Sequence, residues 1–191
     1  NDVFAIGSDT AATSITMTGA AEGRRVLMNS TGNVSVADVT STAGAVDITS
    51  DAGTLTAGIV TSVGGNTTLL SSGNLGTTSV SSTGSINLNS ANGAINSGAV
   101  NATGGNVILS ANSAITTSSI TSSAAINAAS NSGAINAGVV NAMGGNARLL
   151  AFGDVTTASI TASNKIDVDS LAGGALSLGN LTAGRAIQLD T

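Results

Sequence analysis

The chain has 191 residues, a net charge of −5 and 25 glycines, with no Pro, Cys, His, Trp or Tyr; Phe4 and Phe152 are its only aromatics. That inventory excludes thiol nucleophiles, Ser-His pairs, the common zinc and haem ligand sets and any disulfide scaffold. All ten acids and five bases lie outside residues 52–147, and so long an uncharged stretch neither grips nucleic-acid phosphates nor tunes a carboxylate for acid-base work.

No apolar run reaches the roughly 20 residues of a membrane-spanning helix, and Val, Ile, Leu and Ala recur too evenly for a disordered chain. The first residue is Asn1 rather than Met, which reads as a processed or excised piece. In chain order, residues 1–23 read as an irregular N-terminal segment or a first rung, and residues 24–191 as a repeat rod within a longer chain. From Gly44 onward the sequence divides into 20-residue lines without a gap. Gly44, Gly64, Gly84, Gly104 and Gly144 head the lines, and Gly53, Gly73, Gly93, Gly133, Gly153 and Gly173 stand midway. Glycine columns predict two corners per line, at backbone positions with positive φ.

Between the corners the apolar residues keep to columns. One holds Leu55, Leu75, Ile95, Ile115, Ile135 and Val155; another holds Val60, Val80, Val100, Ile120, Val140 and Ile160. Their neighbours are small or polar, which is strand alternation. A third strand shifts register by one from line to line, with Ile86 and Leu88 or Ile126 and Ala128 one column before Val107 and Leu109. Lines therefore pair, as the near repeat of AINSGAVNATGGN (94–106) in AINAGVVNAMGGN (134–146) also indicates. The register slips near 34–39 and 171–178, where irregular rungs are expected. The predicted fold is all-β: a right-handed parallel β-helix (solenoid) with about 20 residues per rung and a paired-rung superperiod of about 40 residues. A transmembrane barrel would need aromatic girdles and strands of about ten residues, which this chain lacks.

Few residues invite chemistry. Asp38, Asp47 and Asp51 lie near one another in sequence, as do Asp154, Asp167 and Asp169, but without basic partners they read as turn and surface positions rather than catalysts or metal ligands. Gly64-Gly65-Asn66, Gly104-Gly105-Asn106 and Gly144-Gly145-Asn146 have neither the Lys nor the helix of a phosphate loop and read as corners with Asn stacked on like residues. Asn-x-Ser/Thr triplets begin at Asn29, Asn33, Asn66 and Asn180. No catalytic residue, metal or cofactor is expected. The candidate surface is a pair of outward polar ladders: Thr56, Asn96, Thr116, Asn136 and Thr156 in one, Thr61, Ser81, Asn101, Thr121, Asn141 and Thr161 in the other. Hydrogen bonding along the ladder is the plainer account of them; binding of carbohydrate or ice is the functional one.

The lines GAINSGAVNATGGNVILSA and GAINAGVVNAMGGNARLLAFGDV resemble shaft repeats of filamentous-haemagglutinin-like adhesins, the large exoproteins of bacterial two-partner secretion. The resemblance covers roughly residues 24–191 and implies a Cys-poor protein that passes an outer-membrane transporter unfolded and coils outside the cell. A chain without Pro cannot contain the Asn-Pro motifs of that family's secretion domain, so the resemblance is to shaft alone. It implies an extracellular, cell-surface structural and adhesive segment whose partners are surface glycans or proteins of host or neighbouring cells. A self-assembling filament subunit and a carbohydrate- or ice-binding β-helix are the alternatives, and a polysaccharide-cleaving β-helix lacks its carboxylates. The closing GRAIQLDT reads as the opening of another rung, with Ile187 and Leu189 inward. Continuation or end-to-end stacking is expected there, with Asp2, Asp9, Glu22, Arg24 and Arg25 at one end and Arg185 and Asp190 at the other as weak charged caps.

Overall fold

The computed structural model describes residues 3–6 and 14–191, so Asp2 and Asp9 lie outside the described residues. The described elements are all β-strands. Parallel strands stack as a β-solenoid of about nine turns with roughly 20 residues per turn, in one 10-stranded and one 11-stranded sheet. The first strands, Val3–Ile6, Ile15–Met17 and Ala21–Gly23, already pair in parallel with their counterparts one turn on.

A middle turn shows how the sequence draws the plan. Leu75–Ser82 is one strand whose pairing skips Thr78, leaving two legs, 75–77 and 79–82. A short corner, 83–85, leads to the third leg, Ile86–Ser90, and the corner 91–94 leads to the next turn at Ile95. We call the outer sides of the three legs the first, second and third faces. Within each leg alternate residues point inward, so Leu75, Val80, Ile86 and Leu88 are all buried. Stacking sets each on its homologue: Leu55, Leu75, Ile95, Ile115, Ile135 and Val155 form one continuous file in register. Burial of each aliphatic contributes about 1.5–3 kcal/mol. One turn alone could not offset the cost of ordering its own backbone, and each turn depends on its neighbours.

The pairing of turns has a geometric cause. From Leu55 to Val155 every step on the first two faces is 20 residues, whereas on the third face Thr67 to Ile86 is a step of 19 and Ile86 to Val107 a step of 21. Long corners 63–66, 103–106 and 143–146 alternate with short corners 83–85 and 123–125 after the second face. After the third face the order is reversed, and a long corner at one edge is compensated by a short one at the other. The expected slips are present. Val34 pairs with Leu55 and Val39 with Val60, where the strand splits into Val34–Val36 and Val39–Ser41. Leu176 pairs with Val155 after an enlarged corner at 171–175.

Two expectations about the corners are corrected. Among the described residues positive φ occurs only at Gly64 (95°) and Gly173 (71°), so the glycine columns do not serve backbone handedness in general. Most of them serve close approach: a Cβ on Gly93 would stand 2.5 Å from Asn74 Oδ1 and 2.6 Å from its backbone N, whereas one on Gly153 would make ordinary contact. Nor do the corner asparagines stack on one another. Asn66, Asn106 and Asn146 each close a long corner, and their Oδ1 atoms accept the backbone N–H of Ser85, Ala125 and Lys165 one turn on, at 2.8, 3.0 and 3.1 Å. At the other edge Asn33, Asn74 and Asp154 close short corners and accept from Thr54, Ala94 and Ala175 at 2.8, 2.9 and 2.7 Å. Each clamp spans corners of unlike length.

Candidate functional site

The three faces differ in charge. From Leu55–Ser62 through Leu176–Ala183 the first and second faces present no charged side chain at all. Over that range charge lies at the corners and on the third face, where Asp167 receives Arg148 at 3.5 Å and Lys165 at 3.1 Å; nearer the N-terminus Arg25 meets Asp47 at 2.9 Å and Glu22 stands on the second face. The ion pairs are well exposed and contribute little to stability.

The acids of interest are thereby placed. Asp38 Oδ1 accepts the Ile59 N–H at 2.8 Å and Asp154 Oδ1 the Ala175 N–H, so both are corner clamps. Asp47 and Asp167 are ion-pair partners on the outside of the third face. No group of three or more acids converges in a metal-binding arrangement among the described residues.

The sequence columns do form files. On the first face Thr56, Gly76, Asn96, Thr116, Asn136 and Thr156 are neighbours in register, continued by Ser35 below and Ser177 above. On the second face Thr61, Ser81, Asn101, Thr121, Asn141 and Thr161 do the same, extended by Thr40 and Thr182. Thr56, Asn96, Thr116, Asn136 and Thr156 are all exposed. Hydrogen bonding along the ladder, the plainer account of these columns, is not what the structure has: none of these side chains bonds to its neighbour. Asn and Thr mostly alternate along the file, so each side chain meets an unlike one, and its donors and acceptors face outward. Gly76 breaks the first ladder, leaving a depression between Thr56 and Asn96. That break and the Asn interruptions deny the surface the flat, unbroken hydroxyl array that a match to ice would need.

Two inward polar sets escaped the sequence analysis. Ser50, Ser71, Ser90, Ser130 and Ser170 are buried at the ends of third-face strands, and their hydroxyls donate to corner carbonyls of the turn before, as Ser50 does to Gly32 O at 2.7 Å and Ser170 to Gly153 O at 2.9 Å. Ser62, Ser82 and Ser122 do the same at the other edge, to Gly44 O, Gly65 O and Gly105 O. The second set is a file of inward hydroxyls beneath the first face. There Thr77 and Ser97 bond to each other at 2.7 Å, while Thr117 and Thr157 leave their buried Oγ1 atoms without a partner. Period-two counting from the aliphatic files would have found both, because each hydroxyl lies two residues from a buried neighbour on the same side.

No family model, curated protein or solved structure matches the chain.

Proposed function

We propose that this chain is a segment of the shaft of a large bacterial surface adhesin, exported through an outer-membrane transporter and coiling outside the cell, where it spaces and presents other regions. The observation that carries the proposal is the uniformity of the stack. Turn after turn repeats one inward core, the corner clamps recur every second turn, and from Leu55 to Ala183 the first and second faces stay uncharged. A turnover site would concentrate unlike functional groups in one cleft; here the polar groups are spread along the axis, which suits a spacer that distributes load over every turn. A charge-free flank also limits nonspecific attraction to polyanionic surfaces.

The experiment is localisation in the source cells with antibody raised against the 191-residue rod. Labelling of intact cells, lost after protease treatment of the cell exterior, is the expected result. Labelling confined to permeabilised cells refutes the shaft. Electron microscopy of the purified chain should show a rod about 40 Å long for about nine turns at strand spacing.

A further inference from the structure

Gly76 is a glycine for which the fold gives no reason. It is the second residue of Leu75–Ser82 and lies between Thr56 and Asn96 in the first-face ladder. Its φ is not positive. A Cβ built on it would meet no atom within 4 Å, unlike Gly93, where the preceding turn forbids a side chain. An interior strand glycine loses backbone entropy and side-chain packing, and is commonly found at a bulge, at a bend or where a ligand or another backbone approaches closely; the unbroken pairing at Gly76 has neither bulge nor bend, and no backbone crowds it.

The omitted side chain opens a notch walled by Thr54, Thr56, Asn74, Ala94 and Asn96. Thr56 and Asn96 are two turns apart, about 9.5 Å between backbones at ordinary strand spacing, which leaves a gap one side chain wide that a pyranose ring enters edge-on. The polar groups around it offer both donors and acceptors. The side chains of Thr56 and Asn96 have no hydrogen-bond partner among the described residues. Asn74 is held by its Oδ1, which accepts the Ala94 N–H at 2.9 Å, and its NH2 is left as a donor. Thr54 Oγ1 donates to Asn33 Oδ1 at 3.2 Å and keeps its lone pairs as acceptors. No wall residue is charged, so a sulfate, phosphate or uronate would find no cation and a metal ion no carboxylate. An amide and a hydroxyl held in place at Asn74 and Thr54, with the unpaired side chains of Thr56 and Asn96 beside them, match the vicinal hydroxyls of an uncharged sugar.

We propose that the Gly76 notch binds one pyranose unit of a neutral glycan. The site goes beyond the shaft function and does not depend on it, since localisation tests one and sugar titration the other. The probes are the methyl glycosides of glucose, galactose, mannose and N-acetylglucosamine with their linear tetrasaccharides, and sialyllactose and a heparin tetrasaccharide as charged counterparts. Each is titrated into the full 191-residue chain and followed by amide chemical shifts. A neutral probe should move the amides of 54–56, 74–76 and 94–96. Gly76→Thr, which completes the ladder and fills the notch, should weaken that binding about tenfold or more, while leaving the melting temperature equal or higher because Thr favours a strand and meets open space. Asn96→Ala and Thr56→Ala should each weaken binding with the fold intact, which keeps the test decisive if Gly76→Thr folds poorly. Absence of shifts with every neutral probe, binding of the charged probes alone, or a notch variant that folds and binds as well as the parent would overturn the proposal.

Discussion

Ser130→Ala isolates the buried hydroxyls that tie one turn to the corner before it. Ser130 is 2% exposed and stands in its file between Ala111 and Ala151, so alanine there continues an existing alanine column and leaves almost no cavity. What disappears is a pair of hydrogen bonds: the hydroxyl donates to Ser113 O at 2.5 Å and accepts the Gly133 N–H at 3.1 Å. A typical net contribution is about 0.5–1.5 kcal/mol per bond, and both corner groups lie near enough to solvent to recover part of it from water, which puts the expected loss at about 1–2 kcal/mol. Unfolding of a solenoid need not be two-state, so local amide exchange is the better assay. The Gly133 amide should exchange about 5–30 times faster in the variant. The Gly44 amide, which donates to Ser41 Oγ at 3.1 Å, serves as the unperturbed reference within the same molecule. Equal protection of Gly133 in both proteins would refute the argument that these hydroxyls fasten the corners.

Other substitutions test other parts of the fold. Thr117→Val and Thr157→Val replace buried hydroxyls that have no partner with a methyl of the same shape, and each should raise stability by about 1 kcal/mol or more, read as a higher melting temperature by circular dichroism. Ile95→Asp should cost far more in urea melts than Asn96→Ser, because Ile95 is 1% exposed within its file whereas Asn96 faces solvent; equal losses would mean the inward and outward columns are reversed. Gly93→Ala should destabilise by about 1–3 kcal/mol through collision with the backbone and side chain of Asn74. Arg25→Ala should change stability by less than about 1 kcal/mol, with the difference vanishing in high salt, because its pair with Asp47 is exposed.

The aliphatic files were legible in the sequence because a gapless period puts Leu55, Leu75 and Ile95 at equal spacing and alternation tells in from out. The shift between Ile86 and Val107 was legible for the same reason. The meaning of the corner glycines was not. Gly93 in isolation invites an account in terms of φ, whereas the atoms that forbid it a side chain belong to Asn74, and only the stacked register brings them together. Ser130 and Thr117 were passed over because a hydroxyl in a polar-looking segment suggests solvent, although their parity relative to Ala128 and Ile115 points inward. Gly76 interrupts a column in the sequence, but that it has room for a side chain can only be seen with the neighbouring turns in place.

The alternation of long and short corners carries an implication for how such a rod changes length in evolution. Asn66, Asn106 and Asn146 fasten a long corner to the short one above it, and Asn33 and Asn74 fasten a short corner to a long one. Excision of a single turn, such as residues 75–94, would keep the core files aligned but bring 63–66 directly beneath 103–106, like against like. The amide that Asn66 reaches would then belong to a corner of the wrong length. Duplication or loss of two turns restores every clamp. The heritable quantum of this architecture is thus the double turn, and recombination between the near-identical segments at 94–106 and 134–146 adds or removes that unit without a fault in the stack.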